Sequence, residues 1–244
     1  MRRRARHEIA PGVTGAPTDH EVDRLLRTYA GRAAHPTWDT TNPGNRAIIR
    51  ERERHTARLL GRHGFVPLTG RPVLEIGCSH GATLASLLQL GARPEDLVGV
   101  DLLADRIATA RERYPAIRWV TGNAEGLEFP DASFGLVLAF TVFSSILDDR
   151  MASSVAGEIR RVLRPGGAVL WYDFRYDNPR NADVRGMPLP AIRGLFPGLA
   201  LDVRSLTLLP PLARRLGPAT PLLYPLLARV PALRTHYLGL LRAP

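Results

Sequence analysis

Apolar residues along the chain fall first into two helical stripes. Val22, Leu25, Leu26 and Tyr29 recur at three- and four-residue intervals, which predicts a helix from Asp19, its capping residue, to about residue 30. Ile48, Ile49, Leu59 and Leu60 mark a second helix over 46–62, with Asn45 as its cap. The period then changes. Val73, Leu74 and Ile76 form a strand-length run interrupted only by Glu75, and Leu84, Leu87 and Leu88 return to helical spacing until Gly91 closes that helix. A second strand over 97–100 ends on Asp101. Helix 104–114, strands 117–120 and 134–140, helix 151–163 and strand 168–172 continue the alternation. Beyond them lie a short helix near Pro190, a strand over about 201–208, a Pro- and Leu-rich stretch at 209–233 with one or two short helices, and an antiparallel strand at 236–241. Buried strands alternating with helices predict an α/β, doubly wound, mostly parallel sheet.

The most informative joint is the first strand-to-helix turn, Gly77-Cys78-Ser79-His80-Gly81. Gly77 permits a backbone that a Cβ would obstruct, and Gly81 lets the helix start approach a ligand. Free N–H groups at that start suit a carboxylate. Asp101, 20 residues past Gly81, stands at a strand's C-terminal end, where a carboxylate can accept both hydroxyls of a ribose. A nucleoside is the economical ligand. The glycine spacing is not the G-x-G-x-x-G of dinucleotide enzymes, and no Lys-Ser/Thr pair follows as in a P-loop.

Glu75-Ile76-Gly77-x-x-x-Gly81 resembles motif I of the Rossmann-like, class I S-adenosylmethionine (SAM) dependent methyltransferases, with Ser79 where that family usually has Gly. Leu163-Arg164-Pro165-Gly166-Gly167 resembles a second signature of the family, a helix stop and turn before a strand. Asn123, in Gly122-Asn123-Ala124, stands where the family has an Asp that meets the adenine amine, and its amide carbonyl can accept the same bond. Gly135 replaces an Asp that is structural in the family. The resemblance implies a seven-stranded sheet with an antiparallel last strand and an N-terminal helical cover. It divides the chain into a disordered basic tail (1–18), the cover (19–66) and a methyltransferase domain (67–244). It also implies SAM as cofactor, contacted by Glu75, Gly77, Ser79, Gly81, Asp101, Leu102, Asn123, Ala124 and Phe140.

Composition narrows the rest. A 45% hydrophobic content supports a real core. Net charge is +10 and every basic side chain is Arg, scattered among acids except at Arg2, Arg3, Arg4 and Arg6, so no nucleic-acid partner is expected. Cys78 is the only cysteine, which leaves no disulfide or Cys-based zinc framework, and no metal cluster is visible. No apolar run is long enough to span a bilayer and no signal core is present, so the expectation is a cytoplasmic protein without stable membrane insertion, compatible with a homodimer.

Methyl transfer from a sulfonium needs chiefly positioning and, for an alcohol acceptor, a base. Asp173 and His80 are the catalytic candidates by location, with His35 and Tyr29 behind them. Tyr29, Trp38, Phe143, Arg175 and Asn178 are candidates for the acceptor, a small molecule methylated on a hydroxyl oxygen, such as a specialised metabolite or a sugar. Two rivals stand beside this reading. Gly77–Gly81 also matches G-x-S-x-G, the elbow of serine hydrolases, with Asp173 and His236 following in triad order. Against it, the turn follows the first strand rather than a later one, and no oxyanion loop precedes it. The other rival is a SAM-binding protein without catalysis.

Overall fold

The computed structural model describes residues 19–32 and 39–243. Helices α1 (Asp19–Arg32) and α2 (Pro43–Arg62) precede β1 (Val73–Ile76), α3 (Ala82–Ser86), β2 (Leu97–Asp101), α4 (Ala104–Arg113), β3 (Arg118–Thr121) and β4 (Phe134–Phe140). The chain continues through α5 (Asp149–Val162), β5 (Leu163–Phe174), α6 (Leu189–Leu195), β6 (Ala200–Leu208), α7 (Pro210–Arg215), α8 (Thr220–Leu227) and β7 (Arg234–Arg242). The strands form one seven-stranded sheet in the order β3-β2-β1-β4-β5-β7-β6. Strands β1 to β5 pair in parallel, and β7 runs antiparallel to both of its neighbours. The strand order reverses between β1 and β4, which opens a crevice at their C-terminal ends.

Period-2 alternation sends each strand's side chains to two covered faces. Leu74, Ile76, Val100, Val137, Ala139 and Trp171 pack beneath α1, α5 and α6. Val73, Leu97, Leu136, Leu138, Leu170 and Leu240 pack beneath α2, α3 and α4. Helix α5 shows how the pattern works. Asp148 caps it by accepting from the Met151 N–H at 2.8 Å, and Met151, Ala152, Val155, Ala156, Ile159 and Val162 form one buried stripe.

Local chemistry moves several expected boundaries. Helix α2 is capped by Asn42, whose side chain accepts from Gly44 and Asn45, because Pro43 fits the first helical turn, where no N–H is needed. Asn45 is instead a buried helical residue. Helix α3 lasts five residues and tightens into a 3-10 turn, Leu87–Leu90, before Gly91 caps it at φ +85°. After α5 the backbone enters β5 directly. The Arg164–Gly167 turn, with Gly166 at φ +69°, is absorbed as a register shift between the Phe134–Leu163 and Leu136–Ala168 pairs.

Candidate functional site

At the end of β1 three residues of five take left-handed backbone: Gly77 (φ +63°), Ser79 (φ +50°) and Gly81 (φ +81°). Ser79 adopts glycine's conformation with a Cβ, a strain of about 1 kcal/mol. It is held there by its N–H, which donates to Asp101 Oδ2 at 2.8 Å, while its Oγ lies 3.1 Å from His80 Nδ1 and 3.5 Å from Arg106 Nη1. A Cβ on Gly77 would sit 2.9 Å from Val142 Cγ2, so this turn closes against the loop after β4. The expected role of Gly81 changes. A Cβ there would meet the Trp119 ring at 2.5 Å, so its bareness accommodates an indole that also covers Gly99, rather than a ligand. Replacing Ser79 with Gly should raise the melting temperature by roughly 2–4 °C, since relief of the left-handed strain outweighs the loss of two long side-chain contacts. An unchanged or lower melting temperature would show that Ser79 is not strained.

Two carboxylates flank the turn. Asp101 is buried at the end of β2, with Oδ2 taking the Ser79 N–H and Oδ1 the Leu103 N–H at 3.0 Å. Both oxygens are thereby fixed in orientation and keep lone pairs for a ligand's hydroxyls. Glu75 is 2% exposed, and burial pushes its carboxyl up to about 8 against the opposing pull of Arg52. Its carboxylate takes the N–H of Leu84 in the first turn of α3, and Oε2 has no hydrogen-bond partner. The free helix start expected for a ligand carboxylate is therefore partly occupied by the protein itself.

The other cofactor candidates divide. Leu102 and Ala124 are partly buried at the edge of the core beneath α1 and α5. Asn123 sits past the end of β3, where its Oδ1 accepts from the Glu125 N–H at 3.0 Å and its amide donates to the Glu125 carboxylate at 3.1 Å. Its carbonyl thus keeps one lone pair for a base, and Glu125 joins the site unforeseen, since Gly122-Asn123-Ala124 was the whole visible signal. Phe140 lies in the opposite core, buried under the Arg52 guanidinium at 5.3 Å and against Tyr172 at 5.4 Å.

The loop after β4 is pinned from both sides. Asp173 is fully buried on β5, its carboxylate accepting from the Ser144 N–H at 3.0 Å and the Phe174 N–H at 2.8 Å. Burial raises its pKa to about 6. From the solvent side, α1 grips the same loop: Glu21 accepts from the Leu147 N–H at 2.6 Å, Arg24 donates to the Ser145 carbonyl, and the Tyr29 hydroxyl meets Ser145 Oγ. The Arg106 guanidinium lies over the Tyr29 ring at 4.8 Å, so α1 bridges from this loop to the helix after Asp101. No sequence motif announces that bridge.

Three expectations need correction. Asp173, read as a base, has no exposed surface and holds backbone instead. Phe143, read as a substrate contact, is fully buried, stacked on Trp171 at 4.9 Å and edge-on to Phe196 at 5.8 Å, because the loop after β4 folds its aromatic into the core. The Ser79–Asp173–His236 triad cannot form. His236 pairs with Phe174 across the β5–β7 ladder and shares its face, whereas Asp173, one residue earlier, points to the other. His236 lies instead parallel to the Tyr172 ring at 4.7 Å, with Nδ1 on Thr235 Oγ1 at 2.8 Å.

Of the remaining candidates, His80 is exposed beside Ser79, its pKa lowered by burial of part of the ring and then by Arg106. Arg175 is spent on structure, donating to the Pro231 and Arg234 carbonyls, each at 3.2 Å, and lying over Tyr176 and Tyr237. Asn178 is exposed and caps its own turn by accepting from the Arg180 N–H at 3.1 Å. Trp38 and His35 lie outside the described residues. The candidate residues of β1, β2, β3 and α1 therefore converge on the C-terminal edge of the sheet around the β1/β4 crevice. A separate cleft of about 210 Å³, lined by Arg71, Gly135, Arg164 and Gly167, lies at the strands' other end, away from this chemistry.

Residues 73–167 match a family described as a methyltransferase domain. The chain is 43% identical over 114 residues to a fatty-acid O-methyltransferase of Mycolicibacterium smegmatis, covering 45% of this chain and 40% of that protein. It is 39% identical over 129 residues to phthiotriol/phenolphthiotriol dimycocerosates methyltransferase 1 of Mycobacterium ulcerans, covering 51% and 46%. The chain thus spans less than half the length of these curated relatives. Among solved structures, the Burkholderia thailandensis 1,6-didemethyltoxoflavin-N1-methyltransferase, with 1,6-didemethyltoxoflavin and S-adenosylhomocysteine bound, superposes with a TM-score of 0.62 at 19% identity, over 96% of this chain and 94% of that one. The PH0226 protein of Pyrococcus horikoshii gives 0.58 at 16% identity, over 88% and 99%.

Proposed function

We propose that the chain is a class I methyltransferase that transfers a methyl group from SAM to an oxygen of a small-molecule acceptor, a reading supported by the match of residues 73–167 to a methyltransferase domain and by the strand order of the sheet. The observation that carries this reading is the electrostatics of the first turn. The Asp101 carboxylate sits on the backbone of a glycine-type turn, an arrangement that repels a pyrophosphate and suits a sulfonium nucleoside, while burial keeps Glu75 in its neutral form at pH 7. The anchored acceptor pair of Asp101 fits ribose hydroxyls, and Oε2 of Glu75 is a buried polar atom with no hydrogen-bond partner among the described residues.

SAM, when bound, supplies an electrophilic methyl group. In this reading Asp101 holds the ribose, Asn123 accepts from the adenine amine, and the Gly77–Gly81 turn shapes the backbone around the amino-acid portion. Helix α1, clamped to Ser145 and Leu147, keeps water from the crevice. Asp173 is a positioning residue that fixes the β4 loop. His80, kept neutral at pH 7 by its lowered pKa, accepts the acceptor's proton. The relative named as a fatty-acid O-methyltransferase supports oxygen as the target atom, and the acceptor proposed for this chain is a hydroxyl of a specialised metabolite or sugar.

Calorimetry with SAM, S-adenosylhomocysteine and NAD, followed by transfer of isotope-labelled methyl to a panel of hydroxylated metabolites, sugars and fatty acids, tests the proposal. Saturable binding of the two sulfur nucleosides but not NAD is expected, with label in an oxygen-bearing acceptor. Preference for NAD would overturn the cofactor assignment, and binding without transfer to any acceptor would leave a binding protein rather than an enzyme.

A further inference from the structure

We propose that the face formed by residues 209–230 is a docking surface for an anionic lipid bilayer. It does not depend on which ligand fills the crevice.

The segment's place in the fold is the first argument. Strand β6 runs in the same direction as β1, β4 and β5, so its end at Leu208 and the start of β7 at Arg234 lie on the edge that carries Gly77, Asp101 and Phe174. The 209–233 insertion is firmly seated there. Asn42 donates to the Arg214 carbonyl at 3.2 Å, and a Cβ on Gly44 would stand 2.1 Å from the Ala213 carbonyl, so α7 rests on the backbone of α2. Tyr224 buries its ring and donates to Glu51 Oε2 at 2.8 Å, which fixes the inner side of α8.

That seating determines what is left outside. With Thr220 and Tyr224 turned inward, α8 presents Leu222 (70% exposed), Leu226 (51%) and Leu223 (37%) to solvent. Val230 (44%) follows, and the Leu209 N–H donates to the Leu233 carbonyl at 2.8 Å, which brings exposed Leu209 (40%) beside the same turn. Five of the nine large exposed apolar side chains among the described residues fall in this one insertion. An anchored, Pro-braced helix that leaves three of its four leucines wet is built to meet another apolar phase.

Charge selects which phase. Asp202 is the last acid in the chain, and the 42 residues after it carry six arginines and no Asp or Glu. Arg234 is committed to the carbonyls of Ala228 and Arg229. Arg215 and Arg229 are exposed and have no carboxylate partner among the described residues. A second copy seated on the leucines would bring unpaired arginines to face arginines across a two-fold axis. Anionic phosphate headgroups pair with guanidinium groups, while the acyl boundary takes up Leu222 and Leu226. No described helix is long and apolar enough to cross a membrane, so attachment is shallow and reversible. Docked this way, the crevice edge faces the bilayer, and an acceptor dissolved in lipid reaches it without crossing water.

The test is co-sedimentation of the full chain with vesicles of phosphatidylcholine alone or mixed with phosphatidylglycerol. Binding to the anionic vesicles is expected, weakening as salt is raised. The Leu222→Glu/Leu226→Glu variant should lower the bound-to-free ratio by about tenfold or more, and Arg215→Ser and Arg229→Ser by about fivefold each. All four side chains are exposed, so melting temperature and SAM affinity should be unchanged in the variants, which keeps failure of docking distinct from failure of the methyltransferase reading. The proposal is overturned by absence of binding, by binding that survives Leu222→Glu/Leu226→Glu (attraction by the basic N-terminal residues), or by sedimentation velocity showing a dimer that the same variant dissociates.

Discussion

Asp101→Ala lowers SAM affinity by about a hundredfold or more, the largest effect expected of any single change in the crevice. A hydrogen bond to a charged acceptor is worth roughly 1.5–3 kcal/mol, and two ribose hydroxyls share this carboxylate, so a loss near 3 kcal/mol follows even after generous discount. Part of the loss is indirect. The carboxylate also receives the Ser79 and Leu103 N–H groups, so its removal frees a turn that Ser79 occupies under strain. Asp101→Asn separates the two contributions. It keeps one acceptor but turns an amide donor toward one of those N–H groups, and an intermediate loss of about tenfold is expected. Calorimetric titration beside thermal melting is the measurement. A folded Asp101→Ala protein that binds SAM within about twofold of the parent would remove the ribose role altogether.

Raising the pH from about 6.5 to 8 destabilises the ligand-free protein by about 2 kcal/mol, a fall of roughly 4–8 °C in melting temperature. The sign follows from which groups burial has shifted. Glu75 is pushed from 4.5 up to about 8 and Asp173 from 3.8 up to about 6, both by desolvation, and Glu51 is raised in the same way. A buried acid whose folded pKa exceeds its unfolded one stabilises fully below the unfolded value, and that contribution disappears as pH climbs through the folded value. His236 works oppositely. Burial, with Arg52 second, lowers it from 6.5 to about 3, so its contribution is present above 6.5 and lost as pH falls toward 3. Between about pH 4.5 and 6 the rising histidine contribution offsets only one of the two falling carboxyl contributions, Asp173 and Glu75, so stability already declines there. Above 6.5 the histidine has nothing more to add, and Glu75 drives the decline. Glu75→Gln keeps the volume and an acceptor for Leu84 and should flatten that limb. A parent melting temperature that stays level across the window, or a Glu75→Gln protein with the parent's slope, would show that Glu75 ionises normally.

What the chain states locally, it states clearly. The switch from helical to strand period at Val73, the glycine turn after Ile76, the acid that ends β2 and the Arg164-Pro165-Gly166-Gly167 stop all report the sheet and its crevice, because each rests on backbone sterics acting over a few residues. Caps were less legible, since Asn42 and Asn45 are both suitable and only the fit of Pro43 in the first turn decides between them. Distant packing decided the rest. Glu21 reaches the Leu147 N–H across 126 residues, so no window of sequence holds that clamp. Asp173 and His236 are polar residues near one strand end, and strand register alone sends them to opposite faces. Phe143 became core and Leu222 became surface, although a hydropathy pattern favours burial of both. Side-chain type fixes which groups gain by leaving water, but only the arrangement of remote elements determines where cover is available.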